Sequence, residues 1–385
     1  MITLKTSAMF GVATLWAASV LAQPSVTPVT LKASDGATLK ASYYSPGKPG
    51  PGLMLLHQCN RDRSAWAALA KTAAARGYHV MALDYRGFGE SEGPRSDNFQ
   101  ALQPVIAEKW PGDVDAAFAW LLAQPGVDKD RIGASGASCG VNQAVLLASR
   151  HPEVKTVVLL SGGLTPAART YLQKSAWMPL MVSASDDDGD AVNTMRWILG
   201  WSRNTKNKLV QFKAAGHGTD MFAVEKTLEP QMLEWFEANL RNAPAKPVET
   251  AAPAKPSTIE EFWNALAQPG GAVRAQSIYR AAKDADRSIV LFPEGEMNAH
   301  GYQLLQDGSA KDAIIVFQMN VDAYPQSANV YDSLSDGYLA DGNTADALRF
   351  AEKALQVLDA DTRTAPELKQ AIRESAEKKV RELKK

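Results

Sequence analysis

Residues 131–143 read R-I-G-A-S-G-A-S-C-G-V-N-Q. Two serines stand three apart in a stretch with almost no bulk, and each is flanked by small residues. A nucleophile elbow needs a strand, a very tight turn with the serine at its tip, and a helix that starts at once. The residues two before and two after the serine must be small, because strand and helix pass close to them. Ser138 meets this as G-A-S-C-G, with Arg131–Ala137 as the strand and V-N-Q-A-V-L-L-A-S-R as the helix. A turn at Ser135 would shorten the strand and place Gly136 and Gly140 inside the helix, where each costs about 1 kcal/mol. Ser138 is therefore the candidate nucleophile and Ser135 a packing residue.

The surrounding pattern sets the fold. Val26–Lys32 and Thr38–Tyr44 read as a hairpin turning at Asp35-Gly36. Gly52–His57 is a short apolar run, as in a strand buried on both faces. Ser64 is expected to cap a helix that ends at Gly77. Tyr78–Asp84, Thr156–Ser161, Pro179–Ser185 and Lys208–Lys213 are further strands, with helices between them, among them Asp113–Ala123 and Val141–Arg150. Repeated βα units of this kind predict an α/β fold: a doubly wound, mostly parallel sheet covered by helices on both faces. About 18 residues separate the sixth strand from the seventh, too few for a large cap, so an open site is expected.

A serine hydroxyl needs a base to take its proton. His217, in A-A-G-H-G-T-D, follows an apolar strand and has glycines on both sides that free the loop. His79 and His151 sit at a strand start and a helix end, and His300 lies far along the chain. The base needs an acid to fix its tautomer. Asp186-Asp187-Asp188-Gly189-Asp190 follows the strand Pro179–Ser185. Spacing favours Asp187, with Asp188 next. Tyr171, Trp177, Trp197 and Trp201 are apolar candidates for the rim of the site or for the core.

With L-M-L-L-H-Q-C-N, D-Y-R-G-F-G-E-S, D-K-D-R-I-G-A-S-G-A-S-C-G, the aspartate cluster and G-H-G-T-D on the page, residues 24–240 resemble an α/β-hydrolase of the compact dienelactone-hydrolase-like type. The resemblance implies catalytic roles for Ser138, Asp187 and His217. Dienelactone hydrolases carry cysteine at the elbow, so their own reaction does not carry over. Many relatives have His-Gly where this chain has His57-Gln58. An oxyanion hole is expected from the N–H of Cys139, at a helix N-terminus, and from Cys59 or Gln58. The two cysteines of the chain thus flank that hole, and a disulfide between Cys59 and Cys139 is expected to brace it.

The remainder of the chain sets the context. Lys5 followed by the apolar run Met9–Leu21 and a small-residue cleavage site reads as a signal peptide over residues 1–22, which predicts a periplasmic or secreted protein. The hydrolase domain is expected over 23–242. A-P-A-K-P-V-E-T-A-A-P-A-K-P-S, residues 243–257, reads as a semi-extended linker. In residues 258–385, Gly308, Asp312 and Ala313 recur as Gly342, Asp346 and Ala347, each 34 positions on. That period resembles a tetratricopeptide repeat, which implies an all-α domain that binds a peptide or protein partner. Thr258–Leu266 and Ala272–Asp284 are expected to pack in front of the repeats and Ala365–Leu383 to cap them. With 41 Lys and Arg against 42 Asp and Glu, the chain lacks the basic surplus that nucleic acid or an anionic membrane selects. No metal or cofactor motif is present, so none is expected. The expected activity is hydrolysis of a carboxylic ester through an acyl-enzyme. The rival readings are a serine peptidase or amidase of the same fold, and a repeat protein with an inactive hydrolase scaffold.

Overall fold

A computed structural model describes residues 24–96, 99–242, 255–361, 364 and 366–385. The expected signal peptide and most of the expected linker lie outside them. Eight strands form one sheet: β1 (Ser25–Lys32), β2 (Thr38–Ser45), β3 (Gly50–Leu56), β4 (His79–Leu83), β5 (Val127–Ala137), β6 (Val154–Leu160), β7 (Leu180–Ser185) and β8 (Lys208–Phe212). Their order is β1-β2-β4-β3-β5-β6-β7-β8. β1 and β2 pair antiparallel, β2 meets β4 antiparallel, and the other pairs are parallel. The doubly wound α/β fold is thus present.

β3 shows why. Its side chains alternate between faces, yet every residue from Leu53 to Leu56 is fully buried. Leu53 and Leu55 join Leu69 and Ala73 of α1 (Ala67–Ala75) and Phe236 of α8 (Leu228–Phe236). Met54 and Leu56 face Val114 and Phe118 of α3 (Trp110–Leu122) and Val145 of α4 (Cys139–Arg150). Each such side chain contributes about 1.5–3 kcal/mol by leaving water. Because the central strands run parallel, their C-terminal ends share one edge, where ligand sites of open α/β sheets lie. Residues 57–62, Ser138, 186–190 and 213–217 all emerge there.

Local corrections follow from caps and turns. Asp62, not Ser64, caps the helical segment, accepting the Ser64 N–H at 2.8 Å. α2 (Phe99–Glu108) was not foreseen, since Pro104 inside it interrupts the helical signal.

The C-terminal region is all helical: α9 (Thr258–Leu266), α10 (Ala272–Ala285), α11 (Glu294–Gln306), α12 (Ala310–Ala323), α13 (Ala328–Ala340), α14 (Thr344–Leu358) and α15 (Pro366–Leu383). The 34-residue period coincides with the pairs α11–α12 and α13–α14. Gly308 (φ 76°) and Gly342 (φ 78°) occupy the turns in the left-handed region that glycine tolerates. Ala313 and Ala347 are fully buried.

This region docks on α5 (Pro166–Lys174) and α6 (Ala191–Trp201) of the sheet domain. Ile259 rests on Gly200, where an added Cβ would lie 2.0 Å from Ile259 Cδ1. Arg169 lies over the rings of Trp197 and Trp263, at 5.0 and 5.2 Å. Trp197 and Trp201 therefore belong to this buried contact, not to the rim of a site. Tyr171 and Trp177 pack against the same core. Glu260 is fully buried, shares a capping box with Ser257 and pairs with Arg203. Removing one member of a buried pair leaves the other charge uncompensated. Glu260→Ala is therefore expected to lower stability by about 3–5 kcal/mol, read by urea denaturation of the whole chain. A change within about 0.5 kcal/mol would show that solvent reaches the pair.

Candidate active site

Ser138 stands between β5 and α4 at φ 52° and ψ −118°, a conformation that costs a non-glycine residue about 1–3 kcal/mol. Its surroundings enforce it. The Ser138 N–H donates to the Leu160 carbonyl at 2.8 Å, and its own carbonyl accepts the Val141 N–H at 2.9 Å. A Cβ on Gly136 would lie 2.0 Å from the Gly140 oxygen, and one on Gly140 would lie 2.4 Å from the Leu56 oxygen. Gly162 is as confined, with a Cβ position 2.2 Å from the Ser138 oxygen. Ser135 is fully buried in β5 and donates to the Val158 carbonyl at 3.0 Å, the packing role expected of it.

His217 reaches the same edge after β8. Its Nδ1 lies 2.8 and 2.9 Å from the two carboxylate oxygens of Asp188. A carboxylate only accepts, so Nδ1 carries a proton, and the ring's Nε2 is the nitrogen not engaged by Asp188. This corrects the acid expected from spacing: Asp188, not Asp187, holds the histidine. The reason is a turn at the end of β7, closed by the Asp188 N–H on the Ser185 carbonyl at 3.1 Å. The turn leaves Asp187 on the backbone of the histidine loop, where its Oδ1 accepts the N–H groups of Ala215 and Gly216, each at 3.2 Å, and the Ser185 hydroxyl. The Ser185 hydroxyl, and then these N–H groups, hold the Asp187 carboxyl below its ordinary value. Its grip on the loop is complete above the usual aspartate pKa and fades as pH falls through the lowered one.

The loop after β3 supplies the facing wall. His57 is buried, its Nδ1 2.7 Å from the Gln58 carbonyl, while its Nε2 accepts the Tyr85 N–H at 3.2 Å. Burial holds this imidazole below its ordinary value, so it stays neutral and fixes the loop. The Gln58 side chain crosses to the histidine loop: its Oε1 accepts from the Thr219 N–H at 2.7 Å and the Thr219 hydroxyl at 2.8 Å. Arg61 adds two bonds to Asp220, at 2.9 and 3.0 Å. Cys59 and Cys139 are joined by a disulfide with Cα atoms 5.9 Å apart, which ties the β3 loop to the first residue of α4. His57 and Gln58 thus shape the site through side chains; the unusual His-Gln pair in the sequence was the signal for this.

Ser138, His217 and Cys59 line one cleft of about 560 Å³, together with Arg61, Phe88, Arg95 and Leu102. Among the described residues Ser138 Oγ has no hydrogen-bond partner, so no protein group competes with an incoming base or substrate. The wall beyond Phe88 comes from the segment after β4 and from α2. His79 bonds Tyr43 and His151 bonds Asp115, at 2.6 and 2.9 Å, and both are structural. His300 lies against Trp263 in the helical region. Among the described residues no group of His, Cys, Asp and Glu could hold a metal ion, and no helix is long and apolar enough to cross a membrane.

The profile of the X-Pro dipeptidyl-peptidase (S15) family matches residues 35–238. The chain is 32% identical over 166 residues to an uncharacterized protein of Mycobacterium tuberculosis, covering 43% of this chain and 54% of that one. It thus spans about half the length of that relative. It is 26% identical over 267 residues to the thiohydrolase aneE of Aspergillus aculeatus, covering 61% of this chain and 80% of the other. Among solved structures it is similar to the Pyrococcus furiosus esterase Pf2001, at 19% identity and a TM-score of 0.46, covering 60% of this chain and 96% of that one. A dienelactone hydrolase from Anabaena variabilis gives 19% and 0.45, covering 57% and 100%. With more than half of its length matched by one family profile, the chain belongs to the X-Pro dipeptidyl-peptidase (S15) family.

Proposed function

We propose that residues 23–242 act as an exported serine hydrolase that cleaves carboxylic esters through an acyl-enzyme formed on Ser138. The observation that carries this reading is a strained serine opening into the same cleft as a histidine whose far nitrogen is held by Asp188. In the proposed cycle Ser138 Oγ attacks the carbonyl carbon while its proton passes to His217 Nε2. Asp188 holds Nδ1–H and stabilises the imidazolium. The carbonyl oxygen becomes negative and takes the N–H groups of Cys139 and of Cys59 or Gln58. The N-terminal end of the 12-residue helix α4 adds its dipole. One such donor is worth about 3–4 kcal/mol of barrier. Nε2–H then protonates the leaving group. Water, deprotonated by the same nitrogen, releases the acid and restores Ser138.

The same steps cleave an amide or a thioester. Family membership favours a peptidase as the second reading, and the thiohydrolase relative keeps thioesters in view. For residues 258–385 we propose a tetratricopeptide-like module that binds a peptide or protein partner; the two helix pairs in register with the repeat support it. Export from residues 1–22 is part of the proposal, and a disulfide suits the oxidising compartment it implies.

Rates on short-chain nitrophenyl esters and on matched amide and peptide substrates test the activity. Ser138→Ala is expected to lower kcat by at least about 10⁴-fold. Equal rates for variant and wild type would remove catalysis by Ser138. Asp188→Asn is expected to cost about 10⁴-fold, because the amide allows the wrong tautomer. Asp187→Asn loosens only the loop backbone and is expected to cost less than about 100-fold. The reverse order of the two losses would return the acid role to Asp187.

A further inference from the structure

We propose that Glu296, on α11 of the helical region, is a specificity residue of the hydrolase site, selecting acyl groups that carry a hydrogen-bond donor. The inference rests on Ser138 as nucleophile. Among the described residues Ser138 borders two hollows. The first is the cleft it shares with His217. The second, of about 480 Å³, lies on the Cys139 side and is lined by Ile106, Asn142, Gly162, Leu164 and Glu296 among others. His217 delivers the proton to the leaving group, so the leaving group occupies the first hollow. The acyl remainder is then directed into the second.

The walls of that second hollow come from residues 103–166, with Glu296 as the exception. Ile106, Leu164 and Pro166 make it partly apolar, which suits an acyl chain. Glu296 is held in place: its Oε2 accepts from Arg169 at 2.8 Å, and Arg169 is itself fixed over Trp197 and Trp263. Among the described residues Glu296 Oε1 has no partner. Burial pushes this carboxyl up, and the attraction of Arg169 only partly offsets it. Asn142 Oδ1 is already used by the Thr165 N–H and hydroxyl, both at 2.9 Å. The hollow therefore presents an acceptor whose charge Arg169 largely balances. A plain alkyl chain would cover Oε1 without replacing its water. A hydroxyl or an ammonium would bond it.

The test uses the full chain and nitrophenyl esters of hexanoic, 6-hydroxyhexanoic and 6-aminohexanoic acids, with matched fluorophosphonates that label Ser138 without turnover. Wild type is expected to favour the hydroxy and amino chains over the alkyl chain by about 10- to 100-fold in kcat/KM or in labelling rate. Glu296→Gln, which keeps an acceptor for Arg169, should retain the hydroxy preference and lose most of the amino one. Glu296→Ala should lose both preferences, read as the ratios among the three chains. Equal rates for the three chains on wild type, or an equal fall for all three in Glu296→Ala, would overturn the inference. Labelling without ester cleavage would sink the ester reading alone and leave the labelling ratios to decide the pocket. Absence of labelling would overturn both.

Discussion

At the tip of β5 three backbones pass closer than any side chain would permit. Gly136 meets the Gly140 carbonyl, Gly140 meets Leu56, and Gly162 meets Ser138, with less room at each point than one methyl group needs. That crowding, with bonds from Ser138 to Leu160 and from Val141 to Ser138, holds Ser138 at a positive φ and aims its hydroxyl off the sheet edge. The strain is local and is sustained by the packed strands on either side. β3, β5 and β6 carry the elbow, and they are also the strands whose faces fill both halves of the core. Stability of the sheet and geometry of the hydroxyl are therefore one problem.

Around the elbow, three loops are stitched together by side-chain bonds and a disulfide. The aspartate run after β7 divides its labour. Asp187 takes the backbone of the histidine loop, Asp188 takes the ring, and Asp190 accepts the Glu294 N–H from the helical region at 3.1 Å. Gln58 and Arg61 reach across to Thr219 and Asp220. The disulfide ties Cys59 to Cys139. An imidazole flanked by Gly216 (φ 80°) and Gly218 (φ 58°) would otherwise be loosely placed, since both glycines give the chain freedom there. The cross-links remove that freedom, which is what preorganisation of a catalytic group requires.

Much of this was legible in the sequence because close approach leaves a mark on composition. Only small residues fit two before and two after Ser138, so the elbow could be read directly. Runs such as G-L-M-L-L mark strands buried on both faces, and the parallel sheet follows. The 34-residue period marked the helix pairs. What was not legible depended on turns and docking. Asp187 and Asp188 differ by one position, and a single turn decides which faces the ring. Trp197 and Trp201 stay open between rim and core in the sequence, because nothing in their neighbourhood announces that Trp263 and Arg169 will cover them. Glu296 lies in a region read as a separate module, and only docking on α5 and α6 brings it to the hollow that Ser138 borders.

Docking thus makes the helical region more than an appendage. Arg169 and Glu260 bind it to the sheet domain through ion pairs, that of Glu260 with its carboxylate fully buried, and Glu296 reaches the edge where the loops converge. The most direct test of the whole account is a crystal structure of the full chain after reaction with a fluorophosphonate. The account predicts phosphorus bonded to Ser138 Oγ and a phosphoryl oxygen about 2.7–3.1 Å from the amide nitrogens of Cys139 and of Cys59 or Gln58. An adduct on another residue, or a phosphoryl oxygen turned away from both amides, would contradict it.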